Sequence, residues 1–333
     1  MRTVLFYVSG HGYGHAVRMA EVDRALQRMT PEVRVLVRTQ SPEHMFPPTV
    51  EFSCAEFDPG VVESIPGVVI DEKATRDRLL EFLGKWDALL GEEIGFAKSQ
   101  RVDLIVADIP AMAGDVAAKL DVPCIAISNF TWDWIYEPYA PEHLARLEDG
   151  YRKMSVLLRL PFAQPTRLDV FRQIIDAPLV ARKSVLPGKP TSGRTRVLLG
   201  SRAEIAPEAL QRAAVECPDF EFMSPGPDHS FEEQFASCDM VLAKLGFSML
   251  AECIANRKPL LYPPRESFRE EGILQQNVGL HIAALAIPLE DFYAGNWKRY
   301  LEELRRQTPP PLSIRIDGAE FCAGAINTSL SQP

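Results

Sequence analysis

No stretch of this chain approaches the ~20 consecutive apolar residues that a membrane-spanning helix needs. The first apolar run, Thr3–Ser9, is too short and too quickly followed by glycine to be the apolar region of a signal peptide. A soluble, cytoplasmic protein is the expectation. Cysteine is scarce and scattered. The six residues Cys54, Cys124, Cys217, Cys238, Cys253 and Cys322 include no CxxC pair. That argues against a zinc knuckle or a dithiol redox motif and fits free thiols in a reducing compartment. Positive charge is in deficit: 36 Lys and Arg face 45 Asp and Glu, for a net charge of −9. A general nucleic-acid binder is disfavoured, although a local basic cleft could still hold a diphosphate. Internal repeats and long low-complexity tracts are absent too.

What is present is a globular composition: 333 residues, 46% hydrophobic and 24% charged, enough for two domains of ordinary size. Thr3–Val8 reads as a central parallel strand. A glycine-rich turn follows, then a helix with Met19, Val22, Leu26 and Met29 on its apolar stripe. Further strands are expected at Val33–Val37, Val50–Phe57, Val102–Ala107 and Pro123–Ser128. One long helix or two should cover Ala74–Lys98, with Leu79, Leu80, Leu83, Trp86 and Leu90 inward, and another helix Ala111–Leu120. The rhythm restarts at Arg196–Gly200, after the Pro- and Gly-rich stretch Pro187–Arg194, the best linker in the chain. Such alternation specifies doubly wound α/β sheets. The expected architecture is two Rossmann-like domains, residues 1–187 and 188–333, facing a central cleft, because open α/β sheets bind ligands beyond the carboxyl ends of their strands.

The stretch from Asp239 to Gln276 is the densest in chemistry. A short buried strand leads into the turn Lys244-Leu245-Gly246-Phe247-Ser248, a helix over Met249–Ala255, a strand over Pro259–Tyr262, and a charged loop with Arg265, Arg269, Glu270 and Glu271. The first turn of a helix exposes unpaired N–H groups and the positive end of the dipole. A turn with Gly246 and Ser248 lets a phosphate reach those donors. Glu252, about one turn in, can accept hydrogen bonds from ribose hydroxyls, and acidic groups beyond the next strand can do so from a sugar. An ordinary βαβ unit with a polar rim is the plain alternative.

A second glycine turn, SGHGYGHAVR (Ser9–Arg18), follows the first strand. Gly10, Gly12 and Gly14 permit a tight backbone and close approach by a ligand. The spacing is not the G-x-G-x-x-G of a dinucleotide site, and two histidines sit inside it, for which a hydride-transfer cofactor has no use. No cofactor is expected. His15 and His11 carry imidazoles suited to proton transfer near neutral pH; alternatively, His15 caps the helix or bonds a carbonyl. Arg18, one turn from His15, meets a phosphate or carboxylate, or is a surface ion-pair residue. Asp108, at a strand's carboxyl end, orients a histidine, binds a ligand, or caps the next helix. Asn129–Tyr139 holds five aromatic residues. Strand-like alternation would send Trp132 and Trp134 to one side, with one or two rings lining a sugar pocket beside Asn129 and the rest in the core.

Several of these segments together resemble a known family. Lys-x-Gly-x-Ser-x-x-x-Glu (Lys244–Glu252), Pro-Leu-Leu-Tyr-x-Pro-Arg (Pro259–Arg265) and Phe-Arg-Glu-Glu (Phe268–Glu271) resemble the donor half of GT-B glycosyltransferases. Gly-His-Gly-x-Gly-His-Ala-x-Arg (Gly10–Arg18) and Asn-Phe-Thr-Trp-Asp-x-Ile-Tyr (Asn129–Tyr136) resemble the transferase-like half of the arabinokinase group. The enzyme that forms lipid II is a more distant likeness. The resemblance implies inverting transfer of a sugar from a nucleotide-diphosphate donor, with uridine the favoured base, to the hydroxyl of a small-molecule acceptor. His15 or His11 would be the general base, with Asp108 beside it. Arg18, Asn129, Trp132 and Trp134 would meet the acceptor. Gly12, Gly14, Ser201, Arg202, Lys244, Gly246, Phe247, Ser248, Glu252, Arg265, Glu270 and Glu271 would hold the donor. The Gly200–Glu204 turn departs from the lipid II pattern by lacking its second glycine, with Arg202 a substitute source of positive charge. Without an Asp-x-Asp pair, no metal is implied. The last helix, over Gly318–Leu330, is expected to cross back to the first domain. Two other readings share the architecture: a non-hydrolysing nucleotide-sugar 2-epimerase and a non-catalytic nucleotide-sugar-binding module.

Overall fold

In the computed structural model the apolar runs become parallel strands; the structure describes residues 2–65, 69–184, 193–200, 205–225, 230–265 and 268–331. Strand β1 (Thr3–Val8) is buried along its whole length, as a strand must be when helices cover both faces of its sheet. It is followed by α1 (Gly14–Met29), β2 (Arg34–Thr39), β3 (Glu51–Cys54) and a short hairpin, β4 (Glu63–Ile65) and β5 (Val69–Ile70). Then come α2 (Glu72–Ser99), β6 (Leu104–Asp108), α3 (Met112–Leu120), β7 (Cys124–Ser128), α4 (Trp132–Tyr136), α5 (Ala145–Arg152), β8 (Val156–Arg159) and β9 (Ile174–Asp176). Seven strands form one sheet in the order β3-β2-β1-β6-β7-β8-β9, every neighbouring pair parallel.

Two helical stripes differ from their sequence reading. On α1 the buried stripe ends at Leu26, and Met29 is 46% exposed. On α2, one helix capped by Asp71, whose carboxylate accepts from the Ala74 N–H, the inward residues are Leu79, Phe82, Trp86 and Leu90. Leu80 and Leu83 lie at the flanks of that stripe.

The second sheet is built from β10 (Thr195–Leu199), β11 (Phe220–Met223), β12 (Met240–Leu242), β13 (Leu260–Tyr262) and β14 (Ala284–Ala286), in the order β11-β10-β12-β13-β14 and again all parallel. Helices α6 (Pro207–Glu216), α7 (Phe231–Ser237), α8 (Phe247–Ala255) and α9 (Arg269–Val278) connect the strands, and α10 (Leu289–Ala294) and α11 (Lys298–Arg306) follow them. Val197, Leu242, Leu261, Phe292, Trp297 and Leu301 form its core.

By contacts the chain divides into two units. One comprises Met1–Val62, Ile70–Ala181 and Arg315–Pro333; the other comprises Glu63–Val69 and Arg182–Ile314. The division falls between Ala181 and Arg182 rather than at 187, and most of the Pro187–Arg194 linker lies outside the described residues. Helix α12 (Gly318–Leu330) belongs to the first unit, where Thr30 Oγ1 donates to Asn327 Oδ1 at 3.0 Å.

In the first unit α3 and α5 touch backbone to backbone. A Cβ on Gly114 would lie 2.0 Å from the Gly150 carbonyl oxygen, and one on Gly150 would lie 2.4 Å from that of Ala111. This approach places Tyr151, whose hydroxyl donates to the Ile109 carbonyl and accepts from the Trp132 N–H, both at 3.0 Å. The loop after β6 is thereby tied to α4. Gly114→Ala is expected to destabilise the protein by roughly 1–3 kcal/mol, the usual cost of overpacking. A urea melt would register the loss as a lower midpoint with unchanged slope.

Candidate functional site

In each sheet the strand order reverses between two neighbours, β1 and β6 in the first unit, β10 and β12 in the second. Ligands of open α/β sheets bind at such switch points. Both glycine turns sit there.

In the first unit the turn begins where the Ser9 N–H donates to the Asp108 carbonyl at 2.7 Å, which joins the ends of β1 and β6. Gly12 takes φ +76, a conformation that favours glycine. Helix α1 then starts at Gly14 with no side-chain cap. His15 is 6% exposed and directs Nδ1 to Asp108 Oδ1 at 2.9 Å. Asp108 is wholly buried, and Arg18, 3% exposed, forks onto both of its oxygens. Burial alone would raise the Asp108 carboxyl. The charges of Arg18 and His15 and their hydrogen bonds outweigh it and hold the carboxyl below its ordinary value.

Arg18 Nη2 also lies 2.9 Å from His15 Nδ1, so two partners compete for one nitrogen. A guanidinium only donates and an ionised carboxylate only accepts. Were Nδ1 unprotonated, its lone pair would face the Asp108 oxygen at 2.9 Å. Nδ1 therefore carries the proton and donates to Asp108, and Arg18 Nη2 is a neighbour that serves the carboxylate. The lone pair of the neutral ring is then on Nε2, which makes no hydrogen bond among the described residues.

Asp108 orients a histidine and Arg18 meets a carboxylate, two of the readings left open; the other readings and the remaining first-unit candidates fare differently. Asp108 caps nothing, since α3 begins at Met112 after Ala111. Arg18 is not a surface residue: Nη1 donates to Asn129 Oδ1 at 3.1 Å, and Asn129 is 1% exposed. The two residues expected on the acceptor thus bind each other. Trp132 and Trp134 do not alternate on a strand. They lie in the short helix α4, 0% and 3% exposed, so their faces are covered by protein; Trp132 stacks on Tyr136 at 5.3 Å. His11 packs edge-on to Trp132 at 5.4 Å.

In the second unit β12 leads through Lys244 into Gly246, the extended N-cap of α8, with no side-chain cap. A Cβ on Gly246 would meet nothing within 4 Å, so the space beside the helix start is open. Ser248 and Lys244 are half-buried; the Phe247 ring is buried, so its backbone N–H is the group at the turn. Gly200 at the end of β10 is close-packed, a Cβ there falling 2.8 Å from Met249 Cε. Ser201 and Arg202 lie outside the described residues.

Two of the acidic candidates, Glu252 and Glu271, are paired within this unit. Glu252 is 3% exposed, and both of its oxygens accept from Arg182 Nη2 at 3.0 Å. Glu271, 0% exposed, accepts from the Arg265 backbone N–H at 2.8 Å and from its guanidinium. It braces the loop instead of presenting a free carboxylate; burial raises its pKa against the pull of Arg265. Glu270 is 7% exposed. Sequence reasoning missed Arg182 because the segment Asp169–Pro187 carried no periodicity, and missed Asp58 because it follows a strand by a few residues. A strand-exit Asp-Pro-Gly (Asp58–Gly60) was the available signal for Asp58.

Two doubly wound units of parallel strands, each with a glycine turn at its switch point, define a GT-B protein. The chain belongs to glycosyl transferase family 1, whose family model matches residues 2–274. It is 25% identical over 353 aligned positions to L-arabinokinase of Arabidopsis thaliana, an alignment covering 96% of this chain and 33% of that protein. The chain thus spans about a third of that relative's length. Among solved structures, the glycotransferase of kitacinnamycin is similar with a TM-score of 0.59 and 16% identity, over 99% of this chain and 100% of that one. The spinosyn rhamnosyltransferase SpnG, complexed with thymidine diphosphate, gives 0.59 and 13%, over 99% and 96%. Identities this low speak to the fold. No helix among the described residues is long and apolar enough to cross a membrane.

Proposed function

We propose that this protein transfers a sugar from a nucleotide-diphosphate sugar to the hydroxyl of a small-molecule acceptor, with inversion at the anomeric carbon. The observation that carries the reading is the Asp108–His15 pair, with Nδ1 held by a buried carboxylate and Nε2 unbonded. In that tautomer Nε2 can take the acceptor's proton as the oxygen attacks. Asp108, itself held by Arg18, stabilises the imidazolium that results. The histidine preferred as base is His15 over His11, because the Asp108 carboxylate holds Nδ1 of His15 at 2.9 Å.

The second unit would hold the donor. The uncapped start of α8 at Gly246–Ser248, with Lys244 beside it, suits the departing diphosphate. With that positive charge supplied by the protein, no metal is required, and transfer is expected to keep its rate in excess chelator. A rate abolished by EDTA and restored by a divalent cation would reject that part. A pyrimidine nucleotide is the proposed donor base, uridine first. Thymidine, the nucleoside of the diphosphate in the rhamnosyltransferase neighbour, comes second.

Calorimetric titration with UDP, dTDP, GDP and ADP tests the reading. One nucleotide should bind in the micromolar range, and Glu252→Gln should weaken it about tenfold, the loss of a charge-assisted hydrogen bond to the ribose. No binding by any of the four would reject the donor site. Tight binding without turnover against any acceptor would favour a binding module. Formation of an epimer without acceptor would favour an epimerase.

A further inference from the structure

The arginine paired with Glu252 lies at the switch point of the second sheet. Gly200 ends β10 there, and a Cβ on it would come 3.7 Å from Cε2 of Phe231, the first residue of α7. The Arg182 guanidinium sits 5.4 Å from the Phe231 ring centroid. Its Nη2 holds both oxygens of Glu252 at 3.0 Å, while Nη1 donates to Glu232 in the first turn of α7. The backbone beneath is pinned to α8. Asn256, the C-cap of that helix, donates from Nδ2 to the Arg182 carbonyl at 3.0 Å and accepts at Oδ1 from the Ser184 N–H at 2.9 Å. Movement is thereby left to the side chain. Exposure rises along the three charges, from 4% for the Glu252 side chain through 14% for Arg182 to 55% for Glu232.

We propose that Arg182 is a latch on Glu252, a positioning residue that a nucleotide displaces as its ribose reaches the carboxylate. The latch rests on the reading of Glu252 as the partner of the ribose. A guanidinium and a hydroxyl both donate, so they compete for the same carboxylate lone pairs. Glu252 is too buried to stay unpaired when the arginine leaves, so the ribose hydroxyls arrive as it goes. The departing guanidinium keeps two other holders, the Glu232 carboxylate and the face of Phe231. Without nucleotide the latch closes and Glu252 remains paired. A nucleotide that lacks ribose hydroxyls gains nothing by displacing Arg182.

The test is calorimetry of the whole protein with UDP and with 2′,3′-dideoxyuridine diphosphate, in wild type, Arg182→Ala and Glu232→Gln. The quantity read is the ratio of the two affinities, from which the attraction of the diphosphate to a nearby cation cancels. Arg182→Ala should raise that ratio in favour of UDP about tenfold, as for a latch open in about one molecule in ten. Glu232→Gln removes the outer holder, keeps Arg182 on Glu252, and should lower the ratio about two- to fivefold, the worth of a largely exposed ion pair. A ratio unchanged or lower in Arg182→Ala overturns the proposal, since an arginine that only orients Glu252 would weaken ribose binding when removed. So does a ratio that rises or stays level in Glu232→Gln, an outcome that holds even if Arg182→Ala fails to fold. In both cases UDP still binds the wild type, so the donor reading stands and the latch alone is lost. UDP bound by none of the three proteins also overturns the latch, and titration with dTDP, GDP and ADP then decides separately whether the donor reading falls with it.

Discussion

His15→Ala is expected to lower kcat of the proposed transfer by about 10²–10⁴-fold, the range that positioned general bases contribute, and to leave nucleotide binding intact. The expectation follows from the separation of roles: His15 belongs to the first unit, and the turn proposed for the diphosphate belongs to the second. Asp108→Asn should approach the same loss by another route. An amide can donate to Nδ1, which a carboxylate cannot, so the ring would flip to the tautomer with its proton on Nε2 and lose its basic lone pair. His11→Ala is the comparison, since His11 contacts Trp132 and Gly60 and is expected to lose less. Steady-state kinetics with nucleotide calorimetry on the same samples would decide. Full activity in His15→Ala would remove the base assignment, and a collapse in His11→Ala alone would move it to the other histidine.

Asp108→Ala is expected to cost roughly 3–5 kcal/mol of stability, because removing one partner of a buried ion pair strands the other charge. Arg18 is 3% exposed and Asp108 wholly buried, so water cannot replace the lost carboxylate. Asn129 and Ser128, which also accept from the guanidinium, are neutral. Asp108→Asn keeps the volume and should lose less. The pH dependence has a definite sign. The Asp108 carboxyl is held below its ordinary value. Its stabilising contribution is thus fully present above the unfolded pKa of about 4, and it disappears as pH falls through the lower folded value. Urea melts between neutral and acid pH should show the gap between wild type and Asp108→Ala narrow only in strong acid. A gap that closed near pH 6 would indicate that some other group carries the effect.

Much of the scaffold was legible in the chain. Thr3–Val8 and Cys124–Ser128 announce themselves as strands because residues buried on both faces leave an unbroken apolar run. The first glycine turn was legible for a local reason as well: Gly12 at φ +76 takes a backbone that few other residues permit. Asn129–Tyr136 was not. Trp132, Trp134 and Tyr136 favour strands by intrinsic preference, yet packing around Trp132, against His11, Phe130 and Tyr136, winds the segment into α4. At Glu252 the residue was identified and its neighbour was not, since Arg182 stands 70 positions away.

The sequence by itself determined the doubly wound class, the two glycine turns and the chemistry-bearing side chains, because periodicity and turn chemistry act over a few residues. Only the tertiary structure decided what those side chains are bound to. His15 and Asp108 are 93 positions apart, Arg18 and Asn129 111, and Ser9 and Asp58 49. Whether a charge is free for a ligand or held by a buried partner depends on which strand ends the sheet order brings together, and on the cost of leaving a buried charge unpaired.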